Sequence, residues 1–134
     1  MRHSSRMKSR ITKIAKAHGL DLTKTEQHVS IENNPYMRLA IETIGRNCVS
    51  VAHCYTHQSG DAMVDPEVVF WMCPIDDEWY PIYSKGMFGG YGEQTVATLN
   101  ADGTEWAKCA QRQQANLSAF SNKWATNLGR QGFA

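Results

Sequence analysis

Val49-Ser50-Val51-Ala52-His53-Cys54-Tyr55 sets Val49, Val51, His53 and Tyr55 on one side of a two-residue period and Ser50, Ala52 and Cys54 on the other. That alternation predicts a strand with one buried face. Upstream, Met37, Leu39 and Ile41 alternate with Arg38, Ala40 and Glu42. Between these runs, Ile44-Gly45-Arg46-Asn47 reads as a hairpin connection. His28-Val29-Ser30-Ile31-Glu32 alternates too, and Asn33-Asn34-Pro35 closes it as a turn cluster. Downstream, Gln58-Ser59-Gly60-Asp61 marks a turn and Asp65-Pro66 closes its loop. Val68 to Cys73 is apolar without interruption, which predicts a strand covered on both faces. After the turn Pro74-Ile75-Asp76-Asp77 comes Trp79 to Tyr83, where Pro81 argues for an edge strand. Gln94 to Leu99 reads as a last short strand, ended by Asn100-Ala101-Asp102-Gly103.

At both ends the period changes. Ile11, Ile14, Ala15 and His18 fall at i, i+3, i+4 and i+7, the apolar stripe of a helix opposed by Arg10, Lys13 and Lys16 and stopped at Gly19. Leu117, Phe120, Ser121, Trp124 and Leu128 give a second stripe near the C-terminus. Strands grouped between terminal helices predict an α+β fold. The expected architecture is an N-terminal helix, a five- or six-stranded mainly antiparallel sheet, and a C-terminal helix packed on one face. The 134 residues fit one core.

Net charge is +1, but it is unevenly spread. Residues 1–24 carry seven bases and one acid, whereas the remainder carries seven bases and twelve acids. The division read from charge is a basic arm or helix over 1–24 and a single α+β domain over 25–134. Such an arm suits nucleic acid or an acidic partner. Ile11, Ile14 and Leu20 are too scattered among bases to form the apolar region of a secretory signal. Cys48, Cys54, Cys73 and Cys109 are accordingly expected as reduced cysteines of a cytoplasmic protein. No apolar run reaches the roughly 20 residues of a membrane span.

The densest polar cluster runs from His53 through His57, Asp61 and Asp65 to Glu67. On a strand His53 and His57 stand roughly 13 Å apart, too far to share an ion. The loop reading assigns Gly60 to a positive φ and Asp61 and Asp65 to turn hydrogen bonds. Asp76-Asp77-Glu78 reads as a polar turn. Met87 to Gly92 is rich in glycine and aromatics but lacks the Gly-Lys-Ser/Thr ending of a phosphate loop, and is expected as a bulged connection. His53 and Cys54 are adjacent on a strand and point to opposite faces, so they cannot act as a pair. Trp79, Tyr80 and Tyr83 are candidates for base stacking, but neighbouring acids favour core packing. No catalytic, cofactor or metal site is expected.

Asn34 to Glu42, Val49 to His53, Gln58 to Asp61, Met63, Asp65 to Phe70 and Trp79 to Pro81 resemble an uncharacterised domain family of phages, plasmids and integrative elements. Gly60-Asp61, Met63 and Asp65-Pro66-Glu67 form its most specific stretch. Leu117, Phe120, Trp124, Asn127, Leu128, Gln131 and Phe133 resemble the family's closing helix. Cys54 stands where the family has tyrosine, and the basic N-terminus lies outside the resemblance. The resemblance implies a mobile-element accessory protein in a bacterial cytoplasm. Small non-enzymatic proteins of such elements often block host defence machinery.

The leading expectation is therefore a non-enzymatic accessory protein that binds a host protein complex, as an inhibitor of anti-CRISPR or anti-restriction type. Its candidate contact residues are Asp61, Asp65, Glu67, Asp76, Asp77 and Glu78. The first alternative is nucleic-acid binding through Arg2, Arg6, Lys8, Arg10, Lys13 and Lys16. The second is a metal-dependent enzyme centred on His53, Asp61, Asp65 and Glu67.

Overall fold

Residues 1–56, 58–86 and 92–133 are described by the computed structural model. The order is α1 (Ser5–Ala17), β1 (His28–Asn33), β2 (Tyr36–Ile44), β3 (Cys48–Thr56), β4 (Ala62–Met72), β5 (Trp79–Lys85), β6 (Glu93–Thr95), β7 (Ala97–Leu99), β8 (Trp106–Cys109) and α2 (Gln111–Arg130). Strands β1 to β6 form one antiparallel sheet in chain order, and β7 pairs with β8. The α+β architecture expected above is the one observed.

Strand alternation distributes the apolar residues between two cores. Ile31, Leu39, Ile41, Val49, Val51, Val68 and Phe70 face the helices, where they meet Ile11, Ile14, Leu117, Trp124 and Leu128. Val69, Trp71 and Cys73 point the other way and pack with Cys48, Ile82 and Ala97 under the β7–β8 hairpin. The uninterrupted run in β4 is thus buried on both faces, as its composition requires. Farther from the hairpin the second face carries small and polar side chains; Ser50 and Ala52 of β3 are buried there too, so β3 is covered on both faces rather than on the one its alternation predicts. There His28, Ser30, Arg38, Glu42, Ser50, Cys54 and Glu67 line a shallow polar recess of about 310 Å³.

Gly103 locks the hairpin down. Its carbonyl accepts hydrogen bonds from Trp71 Nε1 at 2.7 Å and Asn47 Nδ2 at 3.1 Å. Its φ is +72°, and an added Cβ would stand 2.1 Å from the Arg46 carbonyl oxygen. Only glycine fits there.

Several local expectations need correction. Gln94 to Leu99 is two strands in two sheets, and Asn100 to Gly103 turns the chain into β8. Asp65-Pro66 lies within β4. Strand β5 is internal: β4 flanks it on one side, and β6 pairs with Tyr83 to Lys85 on the other. Pro81 is tolerated because it lies beyond the end of β6 and beside a register shift in the β4 pairing. His18 is exposed rather than part of the α1 stripe, which Met7 completes from the other end. The readings of His57 and of Met87 to Tyr91 fall outside the described residues.

Candidate functional site

The basic segment is built into the fold. Met7, Ile11 and Ile14 have no exposed surface. Ahead of α1, Arg2 exchanges both backbone groups with the Gln114 side chain at 2.8 and 2.7 Å. Ser4 donates its backbone N–H to Trp79, and its hydroxyl lies 3.1 Å from that of Ser118. Farther along, Asn122 Oδ1 accepts the Arg6 N–H at 3.2 Å, and the Arg10 guanidinium lies across Gly129. Contacts therefore advance together along both helices, which run side by side in the same direction. The segments divided at residue 24 by charge share one core.

Charge follows this layering. Helices α1 and α2 carry eight bases (Arg6, Lys8, Arg10, Lys13, Lys16, Arg112, Lys123 and Arg130) and no acid. All thirteen acids lie elsewhere in the chain, against six bases. The helix layer is accordingly the electropositive side. Reading the N-terminal charge alone missed the share from α2, although the absence of acids over residues 111–130 was visible in the sequence.

Between the helices runs a groove of about 350 Å³ lined by Ser5, Arg6, Ser9, Arg10 and Lys13 of α1 and by Ala125 and Thr126 of α2. The i, i+4, i+7 spacing of Arg6, Arg10 and Lys13 puts all three on one face. Gly129 has no side chain where the Arg10 guanidinium crosses α2, and Ala125 lines the groove beside it. Arg10 Nε is buried and has no acceptor among the described residues. A guanidinium beside two further cations, three hydroxyls and no carboxylate is equipped to hold an anion such as phosphate. Of the remaining candidates, Lys8 is taken up by Asp77, which it meets at both the backbone and side-chain oxygens. Arg2 and Lys16 are exposed at the two ends of the layer.

The candidate acids fall into two places. Asp61, Asp65 and Glu67 lie towards the start of β4, and Asp76, Asp77 and Glu78 lie in the turn beyond its other end. Asp65 is seven positions from the end of β4 at Met72, roughly 23 Å of extended chain, and Asp76 lies in the turn beyond. Ser59 donates to Asp61, and Ser50 donates to Glu67 at 2.6 Å. Tyr80 donates to Asp76, holding that carboxyl below the usual range. Glu78 stands 3.8 Å from the His3 imidazole.

The proposed metal ligands are not brought together. His53 faces the helices between the Trp124 and Phe133 rings, at 5.5 and 5.6 Å, whereas Glu67 bonds Ser50 on the other face. Among the described residues, no three His, Cys, Asp or Glu side chains form a metal site. Burial pushes the Cys48 thiol up to about 11, against the weaker pull of Arg46, which makes it a poor nucleophile.

His53 yields a stability prediction. Burial holds its pKa below the ordinary 6.5, outweighing backbone hydrogen bonds at Arg38 and Met37 and the Asp65 charge. Below that value the unfolded chain takes up a proton more readily than the native one, so stability present at neutral pH is lost on acidification. The melting temperature should fall from pH 7 to about pH 5, above the usual carboxylate range. His53→Gln should flatten that slope; an unchanged slope would assign it to other groups.

With this geometry in place, comparison with known proteins gives one result. The model of the family described as Domain of unknown function (DUF6908) matches residues 9–134. The chain belongs to this family. The DUF6908 span takes in most of α1, so the helix outside the earlier resemblance is part of the shared domain. No curated protein matches, and no solved structure matches.

Proposed function

We propose that this DUF6908 protein is a non-enzymatic binding protein that holds the phosphate backbone of a nucleic acid on its helix layer. It acts as an accessory factor of a phage or other mobile element in the bacterial cytoplasm. The observation supporting this reading is the groove of Arg6, Arg10 and Lys13 set within eight helical bases and no acid. Phosphate contact of this kind is sequence-tolerant and driven by counterion release. Anisotropy titration of short duplex DNA and RNA over a salt series tests it. Three phosphate contacts give duplex DNA a slope of log affinity against log salt of about −2.7. Absence of binding at low salt, or a flat slope, would overturn the reading.

The second reading is docking to a host protein complex, including inhibition of a defence system. What favours it is the acid-rimmed aromatic surface formed where the β4–β5 turn meets the β7–β8 hairpin, with exposed Ile75 and Trp106.

A further inference from the structure

That surface contains a recess of about 320 Å³ walled by Trp71, Tyr80 and Trp106, with Ile75 at its lip and Asp76 and Glu105 beside it. Met1 and Cys73 complete the lining. Two walls are fixed: Trp71 is tied through its indole N–H to the Gly103 carbonyl, and the Tyr80 hydroxyl to Asp76. Their ring centroids lie 5.7 Å apart at 38°. Asn100 Oδ1 accepts the Thr104 and Glu105 backbone N–H groups at 3.0 and 3.2 Å, fixing the turn that presents Glu105. Trp106 remains 46 % exposed and Ile75 77 % exposed. The recess therefore opens to solvent from a rigid floor.

We infer that this recess binds the guanidinium of an arginine presented by a basic segment of a protein partner. Aromatic faces carry negative electrostatic potential and attract cations, Trp above all. A planar guanidinium stacks on an indole while its N–H fork engages a carboxylate, whereas a lysine ammonium does neither as well and is more strongly hydrated. Asp76 and Glu105 supply carboxylates here, and the same charges oppose a phosphate backbone. Neutral apolar ligands would leave the negative charge of both acids unmatched, although Asp76 already accepts from the Tyr80 hydroxyl and the Glu78 N–H. The site goes beyond the nucleic-acid reading and gives the protein-docking reading its chemistry. Because it lies on the sheet side, its failure would leave the helix layer's role untouched.

The probe is an acetylated, amidated Gly-Arg-Gly-Arg-Gly peptide titrated into the full chain, with binding read from the Trp106 indole N–H resonance. Lysine and citrulline counterparts serve as comparisons. The arginine peptide should bind, the lysine peptide should bind more weakly, and the uncharged citrulline peptide should not move the resonance. Trp106→Ala, followed by calorimetry, and Glu105→Gln should each weaken the arginine peptide about fivefold or more. Glu32→Gln, an exposed acid on β1, should leave binding unchanged. Trp106 is half-exposed, so its removal should preserve the fold, which circular dichroism checks. Equal binding of arginine and citrulline peptides, undiminished binding to Trp106→Ala, equal losses for Glu32→Gln and Glu105→Gln, or no binding at millimolar peptide would each overturn the inference.

Discussion

Gly103→Ala is expected to destabilise the protein by about 3 kcal/mol or more, because backbone strain and overpacking act together at this position. An alanine must hold φ at +72°, and its Cβ must displace the Arg46 carbonyl 2.1 Å away. That carbonyl belongs to the β2–β3 turn, where Arg46 and Asn47 already have φ of 61° and 60°. Any retreat also pulls the Gly103 oxygen from Trp71 Nε1 and Asn47 Nδ2. The hairpin would lift, exposing Trp71, Val69 and Cys48 of the second core. Gly19→Ala separates the two contributions. Its φ of +71° is nearly the same, but nothing lies within 4 Å of the added atom. There the cost should be about 1 kcal/mol, from strain alone. Urea denaturation of both variants measures the difference. Equal losses would mean that the close approach at Arg46 contributes nothing.

Ile11→Ala should cost about 3 kcal/mol, within the range for deleting a fully buried aliphatic side chain. Ile11 has no exposed surface and belongs to the core that includes Phe70, Trp124 and Leu128. Lys13→Ala, two residues along on the exposed side of α1, should change stability by about 0.5 kcal/mol or less. The contrast distinguishes a basic helix that holds the sheet from a basic arm attached to a finished domain. Similar small losses for both substitutions would favour the arm.

How far the sequence could be read follows from where each pattern is one-sided. The alternation in β2 and β3 located the sheet because one face of those strands is buried against the helices. Val68 to Cys73 is legible as a strand covered on both faces because its residues are apolar at both parities, and the structure divides them between the two cores. The terminal helices were visible from their stripes, although α2 starts at Gln111, six residues before Leu117, since Gln111-Arg112-Gln113 carries no apolar signal. Strand β8 was missed: Trp106-Ala107-Lys108-Cys109 is short and mostly exposed, and Gly103 rather than periodicity holds it in place. The candidate site was half legible. Its α1 bases stand out in the sequence, but their convergence with α2 depends on residues more than a hundred positions apart. Strand parity separates His53 from Glu67 once the strands are in register, and spacing along the chain conceals that.

The central claim is that the helix layer grips a phosphate backbone, and charge reversal in the groove tests it most directly. Arg6 and Lys13 are exposed, so Arg6→Glu combined with Lys13→Glu should fold normally. Measured by anisotropy on one DNA duplex across a salt series, the double variant should bind about tenfold more weakly or worse, with a slope shallower by about two. Lys108→Glu on β8 should leave both quantities near those of the unmodified chain. A double variant that binds with undiminished affinity and slope would contradict the account.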